Sequence, residues 1–325
     1  MKVTIIIPVY NIINYIGRCL DSVIRQTYKD IECIIVDDAS NDDSINKCEK
    51  LISAYKGPIK FSLLHHSKNR GLSAARNTGT ASATGDYIYY LDGDDELTPN
   101  CIETLIAPIL EDNQIEMVQG NYKRCSSSGK TISFKSYSSR KILSNDDAHL
   151  QYFKHRIIFI SAWNKLLKRS FVFDYQLFFR DNVIYEDYIW SFNLIKHLQK
   201  ACIISDVTYY YIERANSISK GTNIQTKGQN FAYVYNEILY NLTPTHEKSE
   251  LHFYVEGFCR RYIIFNSYNI VYNDLIRTYQ DKAKEFGCWV VYMKLIVTYY
   301  LSRFKYGLRF LTLLRDARNI IFTKG

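Results

Sequence analysis

M-K-V-T-I-I-I-P-V-Y-N-I-I-N-Y-I-G-R-C-L-D-S-V-I-R-Q-T-Y-K-D-I-E-C-I-I-V-D-D, residues 1–38, decides the fold class. Val3–Ile7 is a β-branched run and Ile31–Val36 a second, each long enough for a strand buried on both faces. Between them Tyr15, Ile16, Cys19, Leu20, Val23 and Ile24 recur at three- and four-residue spacing, which predicts a helix with Asn14 as its N-cap. Strand, helix, strand is the signature of a parallel sheet with helices on its faces and right-handed crossovers.

The pattern continues outward. Ser40 or Asn41 caps a helix running to about Tyr55, Lys60–Leu64 forms a third strand, Ser73–Ala81 a third helix and Asp86–Leu91 a fourth strand. A helix over Asn100–Leu110 and a strand over Ile115–Asn121 follow, then a Ser- and Lys-rich loop or hairpin from Arg124 to Lys141. Ligands of such sheets bind beyond the carboxyl ends of the strands. Asn11, Asp37, Asp38 and Asp92–Asp95 follow strands and should therefore share one rim. Past residue 222 the β-alternation gives way to long apolar-aromatic helical patterns, so the chain divides into an α/β domain, 1–221, and a helical, basic, aromatic-rich extension, 222–325. No internal repeat is apparent.

Composition narrows the class. With 47% hydrophobic and 23% charged residues over 325 positions, the chain is a folded globular protein with a substantial core. Its 28 tyrosines suit sugar surfaces and membrane interfaces as well as ordinary cores. The eight cysteines form no C-x-x-C pair and neighbour no histidine cluster, so neither a zinc site nor a redox motif is indicated, and reduced thiols in a cytoplasmic protein are expected. The first apolar run is too short for a signal peptide and is halted by Pro8, and Lys294 interrupts Trp289–Leu301, so no membrane-spanning segment is expected. The net charge is +8, and residues 289–325 hold seven Lys or Arg against one Asp. That tail, Trp289–Phe322, either lies on an anionic membrane surface, placing the protein peripherally on the inner face of the membrane, or packs on the α/β domain with a solvated basic face. Its bulky aliphatics disfavour nucleic acid as a partner. A homodimer is left open.

Asp92-Gly93-Asp94-Asp95 follows the apolar strand Y-I-Y-Y-L (87–91). Three carboxylates around a glycine are either a solvated turn or a site for a hard divalent cation, Mn²⁺ or Mg²⁺, able to clamp a diphosphate.

Four motifs, V-T-I-I-I-P-V-Y-N (3–11), I-I-V-D-D-A-S-N-D (34–42), N-R-G-L-S-A-A-R-N-T-G (69–79) and Y-L-D-G-D-D (90–95), occur in this order at spacings that resemble the inverting family 2 glycosyltransferases of GT-A fold, in particular capsule- and lipopolysaccharide-type bacterial sugar transferases. The resemblance is strong to about residue 100, weaker to about 220, and does not reach the tail. It implies a nucleotide-sugar donor, commonly a UDP-sugar, with the base held by Pro8, Val9, Tyr10 and Asp38. Arg76 looks like the donor-contacting basic residue; its structural alternatives are a salt bridge to Asp38 or a surface helix charge. Asp92 is implied at the ribose and metal, Asp94 as the main metal ligand, and Gly93 stands where many relatives have serine.

Downstream, W-N-K-L-L (163–167) resembles a W-N-K-L segment of the same relatives. Lys165 either reaches an acidic donor or acceptor group or snorkels at an element's end. Glu186-Asp187, ahead of Tyr188, Ile189, Phe192, Ile195 and Leu198, resembles an E-D-x-x-[FW] motif. That motif implies Asp187 as the base that deprotonates a saccharide acceptor, which is lipid-linked if the tail binds membrane; the bland alternative is helix capping. Y-Y-Y-I-E-R-A-N-S-I-S (209–219) resembles a loop that closes over the diphosphate. Here Ile212 replaces a frequent Arg and Arg214 a frequent His, so Arg214 can neutralise phosphate but cannot ligate a metal as imidazole would. Two rivals stand beside this reading. A sugar-phosphate nucleotidyltransferase needs a Gly-rich basic loop after the first strand, where the chain has Pro8-Val9-Tyr10-Asn11. A non-catalytic glycan-binding or membrane scaffold should lack an acid, yet Asp38, Asp92, Asp94 and Asp187 are all present.

Overall fold

Val3–Val9 (β1) is buried along its whole length because it has a parallel neighbour on each side, Ile31–Asp37 (β2) and Tyr87–Tyr90 (β4). That explains the unbroken apolar run: neither face of a central strand meets water. The computed structural model describes residues 1–135, 139–153, 155–214, 223–242, 251, 253–255, 257, 273–285 and 287–288. Lys60–His65 (β3) adds to β2 at the edge of the sheet and is correspondingly less buried. The remaining strands are Glu96–Leu97 (β5), Met117–Ser126 (β6), Thr131–Lys135 (β7), Lys141–Ser144 (β8), Lys165–Lys168 (β9) and Lys200–Glu213 (β10). The sheet order is β3-β2-β1-β4-β9-β6-β10-β5, with β7 on β6 and β8 on β10. β9 runs antiparallel to both β4 and β6, while β6 and β10 are parallel to each other. The sheet is thus mostly parallel, as expected, and the Arg124–Lys141 segment is a hairpin in which β7 pairs β6.

The helices sit between strands as the periodicity predicts. Ile16–Ile24 (α1) buries Ile16, Cys19, Leu20 and Val23. Its N-cap is Tyr15, without a side-chain bond, so the assignment of that role to Asn14 is corrected. Ser44–Ala54 (α2) starts later than Ser40 or Asn41, because Asp42 accepts from the Ser44 N–H at 3.0 Å and Asp37 from the Ser40 N–H at 2.8 Å. Leu72–Ser82 (α3), Cys101–Glu111 (α4), Asn145–Phe153 (α5), Arg169–Asp174 (α6) and Glu186–His197 (α7) complete the sheet-bearing part.

The chain falls into two compact units, Met1–Gly221 and Thr222–Gly325. In the second, helices span Ile224–Asn241, whose N-cap Asn223 accepts from the Thr226 N–H, and Asn273–Glu285. The basic tail Trp289–Phe322 and the Ala215–Ser219 stretch lie outside the described residues. No helix among those described is long and apolar enough to cross a membrane.

Candidate active site

The ends of β1, β2 and β4 form the rim on which the site is built. Leu91 N–H donates to the Ile6 carbonyl at 3.0 Å and Asp95 N–H to the Asp92 carbonyl at 2.9 Å, folding the acidic turn against the end of β1. Glycine is required at its centre: a Cβ on Gly93 would lie 2.5 Å from Ile12 Cδ1 and 2.8 Å from the Pro8 carbonyl oxygen. Oxygens of Asp92, Asp94 and Asp95 come within 4.8 Å of one another.

The three carboxylates differ in what surrounds them. Asp95 is buried, accepts from the Tyr209 hydroxyl at 2.6 Å and from the Ile212 N–H at 2.7 Å, and so braces β10 against the turn. Burial, with Asp94 and Asp92 beside it, pushes its carboxyl well above the usual range. The Asp92 and Asp94 side chains stay partly open. Burial and Asp92 push Asp94 up to about 6, against the pull of Arg214, whose Nε lies 2.5 Å from Asp94 Oδ2.

Arg76, on α3, is 1% exposed and gathers carboxylates from distant parts of the chain. Its Nη2 donates to Asp92 Oδ1 at 2.9 Å, and its Nη1 to Glu186 Oε1 at 3.0 Å and Asp187 Oδ1 at 3.2 Å. The Phe179 ring lies under the guanidinium at 5.0 Å. Burial by itself disfavours this charge, but Asp92, Asp187 and Glu186 outweigh it and raise the Arg76 pKa. The suggested Arg76–Asp38 salt bridge and the surface-charge alternative are both corrected.

Glu186 and Asp187 open α7, where the helix dipole favours acids. The residue before them, Tyr185, has φ 72°, a left-handed backbone that an aromatic residue adopts only under constraint. Burial raises the Asp187 carboxyl; Arg76 opposes the rise and Asp92 adds to it. The nearby Ala162 backbone N–H also favours the ionised Asp187. Burial and the adjacent Asp187 push Glu186 up to about 7.

On the β2 side, Asp38 is 3% exposed. Its Oδ2 accepts from the Gly71 N–H at 2.7 Å, and its Oδ1 accepts from the Arg70 N–H at 2.8 Å and lies 2.7 Å from His66 Nδ1. His66 Nε2 in turn lies 2.9 Å from Thr78 Oγ1. Three of the roughly four acceptor positions of Asp38 are thereby used, in fixing the loop that leads into α3 and Arg76. Pro8 and Val9 are buried, whereas Tyr10 is 43% exposed.

Lys165 departs from expectation. It neither snorkels nor faces an open site: it is 1% exposed, and its ammonium donates to the Ser161 carbonyl. Burial lowers it to about 7, with Asp187 opposing. The structure therefore brings Arg76, Asp92, Asp94, Asp187 and Arg214 into one linked set, and keeps Asp38 on the adjoining loop.

Several members of the site went unread in the sequence. Glu186 was read only as the first acid of its motif, and its sharing of Arg76 with Asp187 was not read. Asn164 is fully buried: its amide donates to the Gly120 and Asn121 carbonyls at 2.8 and 3.0 Å, and its oxygen accepts from Thr208 at 2.6 Å. That cross-strand role becomes visible only when β6, β9 and β10 are assembled. His66 gave one signal, a pair of histidines ending β3 opposite the pair of aspartates ending β2.

Residues 4–175 match the family model "Glycosyl transferase family 2". Glycosyltransferase GlyA of Streptococcus pneumoniae is 34% identical over 236 residues, 67% of this chain and 32% of that protein. The uncharacterized glycosyltransferase EpsJ of Bacillus subtilis is 30% identical over 221 residues, 67% of this chain and 63% of that protein. The chain thus matches about a third of the first relative's length and less than two thirds of the second's. Among solved structures, S. aureus TarS 1–349 in complex with UDP-GlcNAc superimposes with a TM-score of 0.67 at 16% identity, covering 93% of this chain and 90% of that one, which shows a shared GT-A fold. A family model covering more than half of the sequence, over the part that forms this rim, establishes that the chain belongs to glycosyl transferase family 2.

Proposed function

We propose that the protein is an inverting, divalent-metal-dependent glycosyltransferase that moves a sugar from a nucleotide-sugar, a UDP-sugar first among them, to a hydroxyl of a saccharide acceptor in cell-surface polysaccharide or lipopolysaccharide synthesis. The observation that carries this reading is the Arg76 guanidinium, which holds Asp92 of the acidic turn and Asp187 of α7 together. Family membership and the UDP-GlcNAc bound to TarS support the donor class.

The donor's base is placed on the rim beside Tyr10, Pro8 and Val9, where Asp38, with three of its roughly four acceptor positions used, can accept one further N–H from the base. Asp92 and Asp94 are the residues suited to a cation: their oxygens are hard ligands, they remain partly open, and their crowding is a cost that positive charge relieves. Asp95 is committed to Tyr209 and Ile212. Mn²⁺ or Mg²⁺ held there supplies neutralisation of the charge that collects on a departing diphosphate.

The transfer balances on this chain's own groups. The acceptor oxygen bonds to the anomeric carbon as the bond from that carbon to the diphosphate oxygen breaks. The bonding electron pair leaves with the nucleoside diphosphate, and the hydroxyl proton passes to the Asp187 carboxylate. Arg76 fixes the orientation of Asp187 and keeps it ionised against burial, so its role is positioning rather than donor contact. Arg214 offers a cation to diphosphate from its place on Asp94.

A donor screen by nucleotide release with Mn²⁺ or Mg²⁺ tests the reading. Asp94→Ala is expected to weaken metal-dependent donor binding. Asp187→Ala is expected to bind donor normally and to lose transfer by a factor on the order of 10²–10⁴. Equal transfer by wild type and Asp187→Ala refutes the base assignment.

A further inference from the structure

Beside the carboxylates lies a group of aromatic rings that the reaction above does not use. Trp163 lies flat over Tyr209, with ring centroids 4.7 Å apart and planes 13° apart, and over Tyr211 at 5.8 Å and 26°. Tyr122 meets the indole edge-on at 4.9 Å, and Phe159 is tilted against it at 6.0 Å. Tyr209 is fully buried and its hydroxyl is committed to Asp95. Trp163, Tyr122, Tyr211 and Phe159 are half-buried. The indole N–H of Trp163 and the hydroxyls of Tyr122 and Tyr211 have no hydrogen-bond partner among the described residues, and none of these atoms is buried.

The short stretch carrying Trp163 is tied to the reaction centre at both ends. Ala162, before it, has its backbone N–H close enough to Asp187 to favour the ionised carboxylate. Asn164, after it, is locked to β6 and to Thr208 of β10. The stack's floor, Tyr209, is bonded to the acidic turn. A rigid aromatic surface with open polar tips therefore adjoins the carboxylate assigned as base.

A pyranose ring has the matching chemistry: C–H bonds on a flat face that packs on aromatic rings, and hydroxyls at its edge that need donors and acceptors. We propose that Trp163, Tyr122 and Tyr211 form the acceptor platform, on which a pyranose stacks so that one of its hydroxyls meets Asp187. A nucleobase would also stack, but Asp38 and Tyr10 offer it a place on the β1–β2 side of the rim. The proposal rests on the glycosyltransferase reading, and it narrows the acceptor to one presenting a ring sugar.

Saturation-transfer NMR on the full chain gives a test that does not depend on turnover. The probes are methyl β-D-glucopyranoside and methyl 2-acetamido-2-deoxy-β-D-glucopyranoside, with glucitol as an open-chain polyol lacking a ring face and uridine as the stacking competitor. Expected are signals on the ring-face protons of the glycosides and none for glucitol. Trp163→Ala should weaken glycoside affinity about tenfold and Trp163→Phe much less. Tyr211→Leu removes one ring of the stack while keeping the indole itself and should weaken affinity in the same direction. Glycoside affinity unchanged in both Trp163→Ala and Tyr211→Leu overturns the platform. So do the absence of glycoside signals at millimolar concentration, equal signals from glucitol, and displacement of the glycosides by uridine. A wild-type protein that releases nucleotide from no donor counts against the enzymatic reading instead, and leaves the binding measurement to decide the platform separately.

Discussion

The two ends of the parallel strands treat acidic side chains in opposite ways. At the amino ends, Glu32 of β2 is answered on every side. Its Oε1 accepts from Thr4 Oγ1 at 2.5 Å and from the N–H groups of Thr84 and Gly85 at 2.6 and 3.1 Å, its Oε2 accepts from Thr84 Oγ1 at 2.6 Å, and Lys2 Nζ pairs with it at 2.5 Å. Burial would raise its carboxyl, but Lys2, Thr4 and Thr84 more than reverse this and hold it at about 2. At the carboxyl ends, Asp92, Asp94, Asp95, Glu186 and Asp187 face Arg76, Arg214 and the buried Lys165, and Asp94, Asp95, Glu186 and Asp187 are all pushed upward. An acid surrounded by donors fastens strands together. Acids crowded beyond their counter-charges impose a standing cost, which is accounted for if the site works with a cation and takes up a proton.

The comparison breaks most sharply at Arg76. Arg76→Met strands three carboxylates, and the expected loss is about 3–5 kcal/mol of stability together with transfer activity. Adding Glu186→Gln should recover part of the stability in urea denaturation and none of the transfer, because Asp92 and Asp187 still lack their common partner. Arg76→Lys should not rescue activity either, since a single ammonium cannot reproduce the three-way fork. Wild-type turnover in Arg76→Met would mean that the guanidinium is a structural tie with no bearing on the base.

At the other edge the expected effect is smaller and of one kind. Glu32→Gln loses the pairing with Lys2 and part of its acceptor set, costing about 1–3 kcal/mol while leaving transfer per folded molecule unchanged. Measuring denaturation and turnover on the same sample separates the edges: Arg76 moves both quantities and Glu32 moves one.

How much of this was legible in the sequence follows from the range of each interaction. The strand–helix alternation from Val3 to Leu91 was readable because periodicity and burial are local properties, and the shared rim of Asp38 and Asp92 follows from parallel topology alone. The placement of Arg76 was not readable: its partners on α7 lie 110 and 111 residues away, and only packing chooses them over Asp38. Lys165 misled for a related reason. A lysine at the start of a short strand is usually solvated, and burying it against Ser161 and Phe159 depends on the loop before β9. Glu32 gave no signal at all, because its five donor groups, on Lys2, Thr4, Thr84 and Gly85, come from the start of β1 and the turn before β4.

The finest test applies one substitution, Glu→Gln, at both edges and reads the pH dependence. Glu32 has a depressed folded-state pKa, so its stabilisation is present above its ordinary value of 4.5 and is lost as pH falls toward about 2. The destabilisation by Glu32→Gln should therefore be full at neutral pH and fade in acid. Glu186 is raised from 4.5 to about 7, so its ionised form costs stability above that pH and the cost vanishes as the pH falls to its ordinary value. Glu186→Gln, keeping an acceptor for Arg76 without the charge, should stabilise the protein at pH 8 by on the order of 1 kcal/mol, about 2–4 °C in Tm. That gain should shrink through pH 7 and disappear near pH 4.5. Removing the neighbouring charge also lowers the Asp187 pKa, so the acidic limb of the transfer profile should move to lower pH by a fraction of a unit. Glu→Gln changes of the same sign at both edges would show that the carboxyl ends are as fully compensated as the amino ends, and the contrast between them would disappear.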